Sequence, residues 1–320
     1  MRLLILGGSG MLGHQLWRSL HAQHDTWVTL RRPVADFAAH NLFDQAKVIQ
    51  VDDITDDESL GRALDQAKPD AVINCVGLIK QRDEASDEAL AVCVNAEFPH
   101  RLAKRCSETG ARLIHFSTDC VFAGTKGNYT EDDLADATDL YGQSKHRGEV
   151  TGPQCVTLRT SMIGHELGTN LSLLDWFISQ QSQTINGFTK AIYSGFTTLE
   201  MARIIVRILT RHPTLSGLWH VASKPISKFD LLKLCQIKLS WEGVIKPNDE
   251  FVCDRSLNGD RFNEATGYKP PGWEAMISEL AQKPRAIGRA SSRSSRCTMG
   301  NASSVPRSTR LPPRRSNPIA

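Results

Sequence analysis

Across the first 160 residues, short apolar runs alternate with stretches whose apolar positions recur at helical spacing. The runs are Leu3–Leu6, Trp27–Leu30, Val48–Val51, Ala71–Val76, Leu113–Phe116 and Val156–Leu158. Most are near-continuous, the pattern of parallel strands covered on both faces. Between them, Met11–His21, Glu58–Gln66, Phe98–Thr109 and Tyr141–Glu149 read as helices. In Phe98–Thr109, the side chains of Phe98, Leu102 and Cys106 fall on one face. The alternation predicts an α/β fold, a Rossmann-type doubly wound parallel sheet with right-handed crossovers, over residues 1–160.

Past residue 160 the pattern is less regular. A helix is predicted at Leu199–Leu209 with Thr198 as its N-cap. Another is predicted at Phe229–Leu239, with Ser227 and Asp230 spaced as a capping box. Gly267 to Gly272 reads as a turn before a last helix, Trp273–Gln282. Residues 161–283 are expected to form a smaller, partly helical lobe over the carboxyl ends of the strands, where open α/β sheets bind ligands. From Pro284 onward Ser, Arg and Pro dominate, and residues 284–320 are expected to be a disordered tail.

Charge changes this picture little. The chain of 320 residues carries 38 basic and 35 acidic side chains, a net of +3. Eight arginines and no acid lie from Pro284 onward, so residues 1–283 hold 30 basic against 35 acidic groups, or −5. No folded nucleic-acid-binding face is expected. No apolar run is long enough for a membrane span, and Met1-Arg2 leads into a strand-like run rather than a leader. None of the cysteines (Cys75, Cys93, Cys106, Cys120, Cys155, Cys235, Cys253, Cys297) forms a C-x-x-C pair, and no carboxylates cluster. No metal site is expected, and the cysteines are read as reduced thiols of a cytoplasmic protein.

Two motifs carry chemistry. Gly7-Gly8-Ser9-Gly10-Met11-Leu12-Gly13 follows the first strand and opens the first helix. Glycines there permit a tight turn and close approach to a pyrophosphate, and the helix start offers free N–H groups. After the second strand come Arg31 and Arg32, where an NAD site would place an acid. Two guanidiniums suit the 2′-phosphate of NADP(H), with NAD(H) the alternative. Asp53 and Ile54, after the third strand, are candidates for the adenine, or a plain loop. Cys75, Val76 and Gly77, after the fourth, lie where a cofactor would pass.

Tyr141 and Lys145 stand one turn apart on one helix face. The ammonium is expected to lower the phenol pKa, fitting the tyrosine to exchange a proton with a carbonyl or alcohol. In Ser117-Thr118-Asp119, after the fifth strand, a hydroxyl could bond that carbonyl, or merely cap a turn.

These motifs, with Val72-Ile73-Asn74, Val94-Asn95-Ala96, Ser117-Thr118-Asp119-Cys120-Val121-Phe122 and Leu158-Arg159-Thr160, resemble the extended short-chain dehydrogenase/reductases. The resemblance is closest to the dTDP-4-dehydrorhamnose reductase group and spans roughly residues 1–282. It implies that Thr118, Tyr141 and Lys145 are a catalytic triad. Asn95 would position groups and water near it, unless it caps the helix after it. Asp119, Cys120 (where the family commonly has Tyr) and Arg159 would face substrate, although Arg159 also suits a structural ion pair. The implied activity is NADPH-dependent reduction of a 4-keto group on a nucleotide-linked 6-deoxyhexose for surface polysaccharide, by a homodimer. Competing readings are an epimerase or dehydratase that retains NAD, and a non-catalytic NADP-binding regulatory subunit.

Overall fold

The computed structural model describes residues 1–80 and 83–282. The expected tail and Cys297 lie outside them. In chain order come β1 (Arg2–Leu6), α1 (Met11–Leu20), β2 (Asp25–Leu30), β3 (Val48–Gln50), α2 (Asp57–Ala67), β4 (Ala71–Asn74), α3 (Glu88–Ala91), α4 (Phe98–Thr109), β5 (Arg112–Thr118), α5 (Leu140–Arg147) and β6 (Cys155–Thr160). The sheet runs β3-β2-β1-β4-β5-β6 and is entirely parallel, as the apolar runs require.

A seventh parallel strand, Gly217–His220, joins the sheet beside β6. Its four residues, of which only Leu218 and Trp219 are apolar, gave no run to detect. The second half of the chain therefore crosses back to extend the central layer.

Alternation in β1 shows why the sheet is covered on both sides. Leu3 and Ile5 pack with Leu12, Leu16, Trp17 and Leu20 of α1. Leu4 and Leu6 pack on the other face with Leu60 and Leu64 of α2 and Phe98 and Leu102 of α4. All four β1 side chains are fully buried, each worth about 1.5–3 kcal/mol of apolar transfer.

Some boundaries and one cap differ from expectation for local reasons. The run Ala71–Val76 stops pairing at Asn74, because the Asn74 side chain accepts the Val76 N–H at 3.1 Å and turns the chain out of the ladder. Helix Thr198–Arg211 is capped by Thr197, not Thr198: the Thr197 hydroxyl accepts the Glu200 N–H at 3.3 Å, while Thr198 is already in the first turn. Ser227 caps Lys228–Lys238 as expected. The Asp230 carboxylate, however, bonds the Ser227 hydroxyl at 2.6 Å, where a capping box would use the backbone N–H.

Among the described residues no helix is long and apolar enough to cross a membrane, and no group of three or more His, Cys, Asp or Glu side chains could hold a metal. All seven cysteines among the described residues are free thiols.

Candidate active site

The strand order reverses direction between β1 and β4, and the carboxyl ends of β1, β4 and β5 share one edge. This is the crevice where a doubly wound sheet takes its ligand. A cleft of about 370 Å³ opens there, its wall including Gly7, Gly10, Arg31, Asp53, Val76 and Gly77.

The glycine loop is pinned to β2: the Gly7 N–H donates to the Thr29 hydroxyl at 3.1 Å and the Gly8 N–H to the Thr29 carbonyl at 3.0 Å. Gly7 has φ +80°, and a Cβ on Gly13 would stand 2.2 Å from the Gly7 carbonyl oxygen. The turn therefore closes only with glycine at both ends. Gly10 caps α1 without a side-chain hydrogen bond, so the first-turn N–H groups of Met11, Leu12 and Gly13 have no side-chain cap acceptor. A backbone cradle facing a cleft, with a helix N-terminus behind it, fits a pyrophosphate. The Leu12 side chain itself is in the core.

The two arginines diverge. Arg31 lines the cleft. Arg32 lies over the Phe37 ring at 4.7 Å and faces Asp36 at 3.9 Å. The Asp53 carboxylate holds the Thr55 N–H at 2.8 Å and hydroxyl at 2.7 Å, which fixes the loop beneath the cleft. Ile54, also in the wall, is otherwise a core side chain. Cys75, Val76 and Gly77 form the opposite wall.

Asn95 sits in a widened turn, Val92–Glu97, through which α3 runs on into α4. Such π-type widenings frequently mark functional sites. It is not a helix cap. Its amide accepts the Leu78 N–H at 2.9 Å and donates to the Leu78 carbonyl at 3.0 Å and the Ser144 hydroxyl at 3.3 Å.

Thr118 ends β5, and α5 carries Tyr141 and Lys145 beside it. Asp139 caps α5 through the Gly142 N–H at 2.9 Å. A Cβ on Gly142 would lie 2.2 Å from the Cys120 carbonyl oxygen, so glycine lets the helix press onto the 118–120 turn. Thr118 donates to Asp119 at 3.1 Å and accepts the Cys120 N–H at 3.1 Å.

Electrostatics here depart from the expectation. Burial, reinforced by Cys120, raises the Tyr141 pKa above the ordinary phenol value, with a Thr118 hydrogen bond opposing. That rise stands although the Lys145 ammonium lies one turn away on the same helix, where it donates to the Phe116 carbonyl at 2.6 Å. Burial in turn lowers Lys145 to about 8, with Glu149 acting against it. The phenol, protonated at neutral pH already at its ordinary value, stays so and can act there as a proton donor rather than a base.

Arg159, expected to face substrate, is instead turned inward. Its guanidinium forks onto Glu149 at 2.7 and 2.8 Å and reaches His220 at 3.2 Å. The geometry assigns it to the ion pair. Cys120 stays at the site, its thiol raised to about 11 by burial and then by Asp119.

Two neighbours of the site were not legible in the sequence. Arg255 donates to the Phe122 carbonyl at 2.7 Å and to the Cys120 sulfur at 3.7 Å. Lys80 pairs with Asp139 at 3.0 Å and lies 5.9 Å from the Tyr141 ring centre. Both come from irregular chain, where spacing carries no signal.

The RmlD substrate binding domain model matches residues 1–247. A dTDP-4-keto-6-deoxy-D-glucose reductase of Streptomyces niveus is 28% identical over 298 residues, covering 90% of this chain and 96% of its own length. A probable low-salt glycan biosynthesis reductase of Haloferax volcanii is 30% identical over 237 residues, 70% of this chain and 75% of its own. Among solved structures, a hypothetical dTDP-4-dehydrorhamnose reductase from Sulfolobus tokodaii superposes with a TM-score of 0.71 at 25% identity, covering 86% of this chain and 99% of that one. A Bacillus anthracis dTDP-4-dehydrorhamnose reductase in complex with NADP shares the fold, with a TM-score of 0.71 at 21% identity over 87% and 98% of the two chains. With that model spanning the glycine loop, the 118–120 turn and α5, the chain belongs to the RmlD substrate binding domain family.

Proposed function

We propose that the protein is an NADPH-dependent reductase of the 4-keto group of a nucleotide-linked 6-deoxyhexose, of the dTDP-4-dehydrorhamnose type. One observation carries it: the Tyr141 phenol on α5, one turn from Lys145, shares a side-chain hydrogen bond with Thr118 at the carboxyl end of β5, at the sheet edge where the glycine-lined cleft opens, although none of the three is in the cleft wall itself. The reductases named among its relatives support the same chemistry.

Gly7, Gly10 and Gly13, with the first-turn N–H groups of Met11 and Leu12, would hold the pyrophosphate. Arg31 would meet the 2′-phosphate, Asp53 and Ile54 the adenosine end, and Cys75–Gly77 the opposite wall. When bound, the reduced nicotinamide supplies hydride. Tyr141, kept protonated by burial, donates its proton to the carbonyl oxygen. The Thr118 hydroxyl orients that oxygen, and the Lys145 charge steadies the phenolate left behind. Asp119 and Cys120 face the sugar, with Arg255 beside them as a cation suited to the substrate's phosphates.

In this reading residues 1–160 bind cofactor, residues 161–283 shape the sugar site, and residues 284–320 take no part. The enzyme works as a homodimer in the cytoplasm, the location being in keeping with its free thiols. The test is NADPH oxidation with a dTDP-linked 4-keto-6-deoxyhexose. Steady turnover supports the reading, and none over a range of nucleotide-linked 4-keto sugars overturns it.

Two predictions follow from the side chains. Because Lys145 is charged only below about 8, kcat/KM should fall about tenfold per pH unit above that point. A pH profile that stays flat to about pH 10, the ordinary lysine range, would contradict this. The sign for stability is opposite. The cost of burying the Lys145 charge is present below about 8 and is relieved as pH rises toward the unfolded lysine value of 10.5.

Arg31→Ala should raise the KM for NADPH by about tenfold or more, the loss of a charge-assisted contact, and leave that for NADH unchanged. Arg32→Ala should change both less than about twofold, since exposed pairs contribute little. Steady-state kinetics with the two cofactors decides the matter.

A further inference from the structure

Asn74 and His115 face each other across β4 and β5 as register partners, both almost wholly buried. They lie one strand end below the proposed chemistry, and the mechanism makes no use of them. Their hydrogen bonds have one consistent assignment. The Asn74 side-chain oxygen accepts the Val76 N–H at 3.1 Å, which fixes the amide. Its Nδ2 then faces His115 Nδ1 at 3.1 Å. An amide nitrogen only donates, so Nδ1 accepts and the ring proton sits on Nε2, a buried atom with no hydrogen-bond partner among the described residues. Burial, with the Lys145 charge adding to it, holds the ring neutral.

The segment Cys75–Leu78, which lines the cleft, is thus held at both ends by buried amides. Asn74 grips Val76, and Asn95 grips both backbone groups of Leu78. Each amide is tied to a strand or helix that bears reacting groups. Asn74 leans on His115, three residues before Thr118 in β5. Asn95 leans on Ser144, next to Lys145 in α5. Without an acceptor at Nδ1 the buried Nδ2 is unsatisfied, and the amide gains by rotating away from Val76.

We propose that His115 is a positioning residue: by accepting from Asn74 it fixes the Val76 amide, and with it the cofactor-facing wall Cys75–Leu78. The claim rests on reading the cleft as a dinucleotide site.

The test compares His115→Leu with His115→Asn in the full chain. Leucine keeps apolar bulk and removes the acceptor. Asparagine can place its oxygen where Nδ1 stands. The Kd for NADPH, by fluorescence titration, should rise about tenfold in His115→Leu, the scale of one buried hydrogen bond, and stay within about twofold in His115→Asn. Amide hydrogen exchange at residues 75–78 should quicken in the leucine variant alone, with the KM for the keto-sugar unchanged.

Native-like NADPH binding and exchange in His115→Leu would overturn the proposal. So would equal impairment in both variants, which marks a packing role. If His115→Leu does not fold, His115→Gln serves in its place, since its amide lies one bond farther out, and the same losses are expected. Should the wild-type chain bind no NADPH, the dinucleotide reading fails. The exchange comparison at 75–78 then still judges the positioning claim.

Discussion

Tyr141→Phe is expected to lower kcat/KM by about 10²–10⁴-fold, the usual worth of a positioned general acid. The Kd for NADPH should stay within about threefold, since the ring remains and only the hydroxyl goes. The split matters because the phenol is buried and its pKa is raised, so one oxygen is both the proton store and the donor. No neighbour on α5 replaces it: Ser144 is turned to the Tyr141 carbonyl, and Lys145 to the Phe116 carbonyl. Stopped-flow measurement of the hydride step with titration of NADPH binding separates the two quantities. Turnover within about threefold of wild type would remove Tyr141 from the chemistry.

Glu149→Ala should destabilise the fold by about 3–5 kcal/mol, the cost of stranding a buried charge. Arg159 and Glu149 are 3% and 7% exposed. Glu149 also accepts from Ser117 at 2.7 Å and faces His146 at 3.0 Å, and the Arg159 guanidinium lies 5.1 Å from the centre of the Phe122 ring. One carboxylate therefore ties the end of α5 to β5 and β6, and through His220 to the seventh strand. At about 2.1 cal/mol/K of unfolding entropy per residue, a chain of this length loses roughly 1.7 °C per kcal/mol, so the Tm should fall by about 5–8 °C. The double replacement Glu149→Leu with Arg159→Met, which strands no charge, should cost much less. Loss of Glu149 also removes the charge that holds the Lys145 pKa up, so the alkaline limb should move below about 8. A Tm within about 2 °C of wild type in Glu149→Ala would show that the pair does not hold the sheet.

The parallel sheet of the first half was legible because its constraints are local. Glycine spacing, an apolar run before it and a helix after it are all set by contacts within about 30 residues. The same holds for Tyr141 and Lys145, one turn apart. The family resemblance carried by these motifs is the family whose model matches residues 1–247. Features set by tertiary contacts, near or far in sequence, were not legible. Arg159 was read toward substrate because the sequence does not show that Glu149, ten residues earlier, folds back onto it. Arg255 lies 135 residues from Cys120, which it touches, and the strand Gly217–His220 pairs with β6 across some 60 residues. The phenol pKa was read with the wrong sign. Spacing places the ammonium near, but only the fold shows that it is bonded to the Phe116 carbonyl and that burial dominates.

The proposed chemistry is a buried phenol delivering a proton beside a glycine-lined cleft. Its most direct test is product analysis by NMR after incubating the protein with NADPH and a dTDP-linked 4-keto-6-deoxyhexose. The predicted result is a 4-hydroxy sugar formed in step with NADPH oxidation by the wild-type chain and nearly absent with Tyr141→Phe. A 4-keto sugar recovered unreduced from the wild-type reaction, or reduced equally well by both proteins, would contradict it.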